Sequence, residues 1–279
     1  MKTIAYQGAL GAFSYITALK EFGEGTFIAL RTFKDVFELV DSGKADYAVV
    51  PIENSLAGSI YENYDLLNSY DMQIVGERYT KVGHCLLAIP ALQKEGALQK
   101  ITKVLSHPKA LEQCSCFFQE HPWIEAVVST NTAAAASEVS AMGNPAYAAI
   151  ASETAAQFYG LEILKKGLED DPENYTRFVT IAKTGKTDHD ADKCSLLLTL
   201  KHIPGALADM LKLFADGDIN VTKIESRPLR GRPFEYLFYV DLEFIGKRQQ
   251  DVEQLLQQLW SKVQTLKILG FYKSEDLHG

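Results

Sequence analysis

Cysteine is scarce and scattered. Cys85, Cys114, Cys116 and Cys194 are the only four, with no CxxC pair and no paired histidine beside them. That excludes a zinc ribbon or a disulfide framework and suits thiols kept reduced in a cytosol. Long apolar runs are missing too: none approaches the roughly 20 residues of a membrane span. Met1 to Gly8 enters a strand-like segment directly, without the apolar core of a secretory signal. A cytoplasmic protein with no membrane partner is therefore expected. Basic clusters are also absent. The 28 Lys and Arg are outnumbered by 36 Asp and Glu, a net charge of −8, so nucleic acid is not an expected partner. An anionic ligand would have to be met by backbone amides and a few placed side chains. What is present is the composition of an ordinary folded protein: 279 residues, 47% hydrophobic and 23% charged, enough chain for two domains.

The first half alternates short apolar runs with helix-like segments, the pattern of an α/β domain. Strands are predicted at Thr3–Tyr6, Phe27–Leu30 and Tyr47–Val50, the last ending at Pro51, with helices over Phe13–Phe22 and Phe33–Ser42 between them. Further strands are predicted at Met72–Gly76, Cys85–Ile89, Lys103–Ser106, Ala126–Val128 and Ala146–Ile150, with an alanine-rich helix over Thr132–Met142. Lys183 to Asp192 is polar, lacks apolar periodicity and reads as a linker. After it the rhythm changes. Strands at Cys194–Leu200, Ile219–Glu225, Phe234–Phe244 and Leu266–Tyr272 enclose helices at Gly205–Ala215 and Gln250–Val263. That is a ferredoxin-like βαββαβ unit.

Five segments carry possible chemistry. Gly8-Ala-Leu-Gly-Ala-Phe-Ser14 follows a strand and opens a helix, where glycines admit a close ligand and free amides favour an anion; a tight turn would look the same. Pro51-Ile-Glu-Asn-Ser-Leu-Ala-Gly58 sits at the C-terminal end of a strand, where open α/β sheets place ligand groups. There Asn54 offers a donor and an acceptor and Ser55 a hydroxyl, although an Asx turn with a helix cap would also use them. In Ser106-His-Pro-Lys-Ala-Leu-Glu-Gln-Cys114, Ser106 suits a cap or a ligand contact, while His107 has no nucleophile to serve and reads as structural. Ser129-Thr-Asn-Thr-Ala-Ala-Ala-Ala136 combines hydroxyls at a helix start, chiefly a capping pattern, with small residues that allow close approach. Asn174-Tyr-Thr-Arg-Phe178 sets a hydroxyl beside an arginine between aromatics, as a carboxylate site or an ordinary alternating strand would.

In order and spacing these segments resemble the prephenate dehydratases. The resemblance rests on Gly8–Ser14, Pro51–Gly58, Ser106-His107-Pro108 and Thr176-Arg177-Phe178, and it runs from residue 3 to about 273. The C-terminal unit is similar to the ACT regulatory domain. There Gly205-Ala206-Leu207 and Glu225-Ser226-Arg227-Pro228 match the two segments that line a phenylalanine site in this family.

The resemblance implies a two-lobed catalytic domain like type II periplasmic binding proteins over 1–184, with one lobe at about 1–76 plus 167–184 and the other at about 77–166. A linker at 185–193 and an ACT domain at 194–279 would follow. It also implies loss of water and carbon dioxide from prephenate to give phenylpyruvate, driven by aromatisation and needing neither cofactor nor metal. Thr176 would donate to the departing oxygen, Asn54 and Ser106 would orient the substrate, and Glu53 would support the loop. Gly11 and Thr132 would contribute backbone amides, and Ser55 and Phe178 would line the site. Arg177 would either bind a carboxylate or buttress Thr176. Lys109 stands where the family usually has glutamine, so it would either bring a charge into the cleft or face solvent. Phenylalanine is expected to inhibit, through a homodimer or homotetramer formed by paired ACT domains. Two other activities fit the same sequence: an arogenate dehydratase, and a non-catalytic amino-acid sensor.

Overall fold

Short buried strands alternating with amphipathic helices build the first half of the chain. The computed structural model describes residues 1–90, 96–183, 190–229, 232 and 234–276. By proximity these fall into two compact units, Met1–Tyr64 with Arg78–Phe178, and Asp65–Glu77 with Val179 onward.

The chain opens with β1 (Thr3–Gln7), α1 (Phe13–Phe22), β2 (Thr26–Leu30), α2 (Phe33–Asp41) and β3 (Tyr47–Asn54). β1 pairs in parallel with both β2 and β3. Helices cover such a sheet, which is why β1 and β3 read as continuous apolar runs rather than alternating ones. A capping box starts α2: Asp35 N–H donates to Thr32 Oγ1 and Thr32 N–H to Asp35 Oδ2, both at 3.1 Å. β4 (Gly58–Ser59), α3 (Tyr61–Ser69) and β5 (Gln73–Lys81) follow. With β11 (Tyr175–Ala182) returning much later, the sheet has the order β2-β1-β3-β11-β5, and β4 pairs with β3.

The strand expected to end at Pro51 instead continues to Asn54. The partner strand β1 is registered only as far as Val49, so proline's missing N–H costs nothing on that side. The Pro51 carbonyl accepts from the buried Asn63 side chain at 2.6 Å. The last two residues then form a hairpin, with Glu53 opposite Ser59 and Asn54 opposite Gly58.

A second sheet follows from β6 (Cys85–Ala88), α4 (Ala97–Lys100), β7 (Lys103–Ser106), α5 (Pro108–Gln113), α6 (Ser115–Glu120), β8 (Glu125–Val128), α7 (Thr132–Met142), β9 (Tyr147–Ala151), α8 (Glu153–Tyr159) and β10 (Glu162–Lys166). Its order is β10-β6-β9-β7-β8, parallel at β9-β7-β8 and antiparallel at β10-β6-β9. Ala133, Ala135, Ala136 and Val139 of α7 are buried, and the small side chains bring the helix close to its sheet. The first unit thus has two lobes, one per sheet.

The C-terminal half of the second unit is β12 (Lys193–Leu200), α9 (Ala206–Asp216), β13 (Asn220–Pro228), β14 (Tyr236–Glu243), α10 (Gln249–Trp260) and β15 (Val263–Tyr272). That is the expected βαββαβ order, in an antiparallel sheet β13-β14-β12-β15. Met210 and Phe214 of α9 and Val252, Leu256 and Leu259 of α10 close its core. Residues 184–189 of the expected linker lie outside the described residues. The linker's last residues are not solvated: Ala191 and Asp192 are buried, and the Asp192 carbonyl accepts from Phe244 N–H at 2.8 Å. The segment Asp65–Glu77 completes this unit. Lys267 Nζ caps the end of α3, donating to the carbonyls of Leu67 at 3.0 Å and Tyr70 at 2.6 Å. Lys193 Nζ holds the buried Glu77 carboxylate at 2.9 and 3.0 Å.

Candidate functional site

The loop after β3 is tied to the start of β11, the strand beside it. Ser55 N–H donates to the Tyr175 carbonyl at 2.8 Å, Ser55 Oγ donates to the Glu173 carbonyl at 2.9 Å, and Tyr175 N–H donates back to Ser55 Oγ at 2.9 Å. Ser55 is thereby occupied in joining two segments 120 residues apart.

Asn54 sits at the centre of this junction. Its Oδ1 accepts the backbone N–H of Leu56 at 3.1 Å and of Ala57 at 2.8 Å, an Asx turn. A backbone N–H can only donate, so Oδ1 and Nδ2 of this amide are assigned without ambiguity. Nδ2 therefore faces three acceptors: Asn174 Oδ1 at 2.7 Å, the Tyr175 carbonyl at 3.0 Å and Thr176 Oγ1 at 3.0 Å. Thr176 is 8% exposed. Its oxygen is the acceptor in that contact, so its own hydrogen remains available, and it meets no acceptor among the described residues. The arrangement presents one hydroxyl hydrogen, held from behind by an amide.

Asn174 and Gln113 extend the group. Asn174 is fully buried, and its Nδ2 donates to Gln113 Oε1 at 3.1 Å. Gln113 Nε2 has no protein partner among the described residues, which leaves two hydrogens to offer. Reading local segments did not single out either residue. Gln113 is the last residue of a six-residue helix and Asn174 precedes its strand, and nothing in either neighbourhood signals the meeting.

The remaining candidates are placed differently. Ser106 is fully buried and its Oγ donates to the Ile150 carbonyl at 2.6 Å, which locks β7 to β9 and leaves only lone pairs to offer. His107 caps α5, its Nδ1 accepting Lys109 N–H at 3.2 Å, and burial lowers its pKa. Lys109 faces solvent, with Nζ 2.9 Å from Glu112 Oε2. Glu53 lies in the β3–β4 hairpin. Thr132 is the first residue of α7, whose cap is Asn131, with Oδ1 accepting Ala134 N–H at 2.7 Å. Arg177 is buried in β11. Phe178 lies in the cluster formed by Ile4, Ala18 and Val49, so its ring fills the core of the first lobe.

Gly11 joins the two lobes. Its φ is +83°, and a Cβ there would come within 2.6 Å of the Ala155 backbone, so only glycine fits. Ser152 Oγ donates to the Gly11 carbonyl at 2.6 Å while also accepting Ala155 N–H as the cap of α8. The glycine turn thus serves a close approach between backbones.

Residues 4–186 match the family model of prephenate dehydratase, and residues 195–259 match that of the ACT domain. The chain belongs to the prephenate dehydratase family. An Arabidopsis thaliana relative, arogenate dehydratase/prephenate dehydratase 1, is 39% identical over 96% of this chain and 71% of its own. The structure of an Arthrobacter aurescens prephenate dehydratase in complex with L-Phe is 29% identical, with a TM-score of 0.86 over 97% of this chain and 89% of that one. A structure described as a novel type of quorum quenching acylase is 31% identical, with a TM-score of 0.88 over the whole of both chains.

In this prephenate dehydratase family member the two ACT segments expected to form an effector site lie on different elements. Gly205, at φ +84°, turns the chain into α9, and Ala206 and Leu207 form its first turn. Ala206 and Leu207 line an open cavity of about 380 Å³, together with His202, Pro204, Tyr236 and Phe238. Glu225 to Pro228 lie on the edge strand β13, paired with Tyr236 to Tyr239 of β14. Arg227 reaches Asp65 Oδ2 at 3.5 Å. Among the described residues no cluster of three or more His, Cys, Asp or Glu is placed to hold a metal ion, and no helix is long and apolar enough to cross a membrane.

Proposed function

We propose that this chain is a prephenate dehydratase, converting prephenate to phenylpyruvate, carbon dioxide and water, and that phenylalanine bound to its ACT domain inhibits it. The observation that carries the reading is the Asn54–Thr176 contact, in which an amide with a fixed orientation leaves the threonine hydrogen free to donate. As the ring carboxylate departs, its C–C bonding pair enters the ring. The C4–O bond breaks, and the departing oxygen takes up one proton and leaves as water. Negative charge grows on that oxygen, so a donor aimed at it binds the transition state more tightly than the ground state. A threonine hydroxyl is too weak an acid to surrender its proton, so Thr176 acts as a donor or relay, and the proton consumed overall comes from solvent.

In this reading the Gln113 Nε2 hydrogens and the backbone amides near Gly11 and Thr132 hold the side-chain carboxylate, with Arg177 supporting Thr176 from within β11. Glu53 and Ser55 keep the loop in place, Ser106 orients through its lone pairs, and Phe178 supports the strand from the core. Lys109 serves the surface rather than the substrate, consistent with its pairing to Glu112. Residues 1–184 form the catalytic domain and 194–279 the regulatory one, and the enzyme works in the cytoplasm as a homodimer or homotetramer. Partly exposed apolar residues on the ACT unit, Leu207, Leu211 and Ile224, suit such pairing.

The test is turnover of prephenate by purified protein, with phenylpyruvate measured with and without phenylalanine. Higher catalytic efficiency on arogenate would assign the enzyme to that substrate, and no turnover of either would end the reading. An N-acyl amide belongs in the same panel because of the acylase neighbour. We expect no hydrolysis, since the partner of the Thr176 hydroxyl is an amide donor rather than a base that would activate a nucleophile. Regulation is better probed by point changes such as Leu207→Glu than by truncation, because Asp65–Glu77 shares a compact unit with the ACT strands.

A further inference from the structure

The turn between β5 and β6 carries His84, a residue 2% exposed that no step above uses. Its Nε2 stands 3.1 Å from Gln113 Oε1, and its backbone N–H donates to Glu169 Oε2 at 2.7 Å. Its ring lies nearly perpendicular to that of Phe13, with centroids 6.1 Å apart. Its Nδ1 is buried and has no hydrogen-bond partner among the described residues.

The direction of every hydrogen bond leading to this histidine is forced. The N–H groups of Leu56 and Ala57 make Asn54 Oδ1 an acceptor, so Asn54 Nδ2 donates. Its partner Asn174 must then present Oδ1, which turns Asn174 Nδ2 toward Gln113. Gln113 must present Oε1, and His84 Nε2 facing that oxygen must carry a hydrogen. A neutral imidazole with its hydrogen on Nε2 leaves Nδ1 bare, which is the atom found without a partner. Burial favours the neutral ring, against the Gln113 hydrogen bond and the Glu169 charge, so its pKa is lowered. The chain of amides thus runs between two fixed ends, the loop backbone and the imidazole.

We propose that His84 is a positioning residue for the reaction: its Nε2–H pins Gln113 and Asn174, and through Asn54 keeps the Thr176 hydroxyl in its donating orientation. The inference rests on the dehydratase reading. Without the imidazole donor, Gln113 Oε1 keeps only Asn174, and the amide loses the contact that stops it turning over. A turned Gln113 would set donor against donor at Asn174, and the disorder would pass to Asn54 and Thr176.

The test uses the full-length protein. His84→Leu removes the donor and keeps an apolar fill. We expect kcat to fall about tenfold through lost alignment in the transition state, with a smaller rise in KM because Gln113 also holds the side-chain carboxylate. His84→Gln restores an N–H donor on a side chain of similar reach and should stay within about threefold of wild type. In a Thr176→Val background the hydroxyl is already gone, so adding His84→Leu should lower kcat by less than about twofold more, the signature of residues acting in one chain. A His84→Leu enzyme with wild-type kcat overturns the proposal, as does a full additional loss in the Thr176→Val background or a His84→Gln enzyme no better than His84→Leu. Should His84→Leu not fold, the wild-type tautomer decides. In 15N-histidine-labelled protein, with the His84 signals assigned by their disappearance in His84→Gln, the hydrogen must sit on Nε2; a hydrogen on Nδ1 ends the proposal. Absence of prephenate turnover by wild type would instead sink the dehydratase reading, while the tautomer would still report on the hydrogen-bond chain.

Discussion

Replacing Thr176 with valine deletes one oxygen and keeps the shape. Asn54 Nδ2 has two hydrogens and three acceptors, Asn174 Oδ1, the Tyr175 carbonyl and Thr176 Oγ1. Taking away the third leaves two acceptors for two hydrogens, so no buried donor is orphaned. The stability cost should then lie at the low end for a lost hydrogen bond, below about 1 kcal/mol. In a domain of about 150–250 residues that moves Tm by no more than about 2–4 °C. Catalysis should suffer far more. A positioned donor to a leaving oxygen is worth about 10²–10⁴-fold, which is roughly 3–5 kcal/mol of barrier at 1.36 kcal/mol per decade. Because the hydrogen bond strengthens only as charge reaches the oxygen, the loss should fall on kcat, with KM little changed. Thr176→Ser keeps the hydroxyl without the methyl that fixes its rotamer, and should recover to within about tenfold of wild type. Phenylpyruvate formation gives kcat, and thermal unfolding followed by circular dichroism gives stability. A Thr176→Val enzyme within fivefold of wild-type kcat would refute the donor role. An activity loss that appears only with a collapse in Tm would refute the argument that Asn54 stays satisfied.

Three further outcomes follow from the structure. Lys193→Met strips the ammonium from a carboxylate in a pair whose side chains are 5% and 0% exposed; it should cost about 3–5 kcal/mol, read as a lower urea midpoint, and pairing it with Glu77→Leu should recover much of the loss. A double variant as unstable as the sum of its parts would refute that account. Asp192 shows a pKa set by competition: burial raises it, but hydrogen bonds from Lys273 and from Ser274 N–H outweigh burial and leave it lowered. A depressed folded-state pKa adds stability that is present above the unfolded value of about 3.9 and lost as pH falls through the folded value. Asp192→Asn should therefore be less stable than wild type at neutral pH and converge with it in acid; stability curves that stay parallel would overturn the assignment. Among the thiols, burial lifts Cys85 to about 11 and Cys114 to about 12, and Cys194 is fully buried, whereas Cys116 is exposed. Native labelling with an alkylating reagent should modify Cys116 alone. It should do so slowly, because hydrogen bonding to Asp170 and its nearby charge raise the Cys116 pKa, and Asp170→Asn should speed it; a second labelled cysteine would contradict the burial pattern.

Most of the elements were legible because their causes are local. α1 and the alanine-rich α7 span the residues expected of them, α7 with Asn131 as its cap, and the βαββαβ rhythm of the second half survives intact. The misses have local causes of another kind. Pro51 reads as a strand end, yet it sits where β1 no longer pairs with β3, so the missing N–H goes unnoticed and the strand continues into the site. Helix α8 is short and its signal lies almost wholly in Ser152, whose oxygen accepts Ala155 N–H while donating to the Gly11 carbonyl of the other lobe. The glycine turn carries a different ambiguity: the close approach of Gly11 to the Ala155 backbone and a close approach by substrate make the same demand on Cβ, so the sequence signal does not separate them.

The candidate site was legible in its residue types and opaque in its connections. Asn54 and Thr176 stand out in their own segments, but they meet across 122 residues only because β11 returns to the edge of β3. Asn174 and Gln113 join across a further 61, from two of the five segments but at positions that nothing within those segments marks out. What fixes the chemistry is directional: an amide offers a donor on one side and an acceptor on the other, and which side faces the reacting hydroxyl depends on the far end of the chain. Here two backbone N–H groups in the Asx turn assign the sense of the chain at one end, and His84 Nε2 meets Gln113 Oε1 at the other. Substituting aspartate for Asn54 would therefore preserve shape and still reverse the sense of the contact, setting carboxylate oxygen against Asn174 Oδ1 and the Tyr175 carbonyl. Shape alone makes that change look mild; hydrogen-bond direction makes it more severe than losing the threonine oxygen itself.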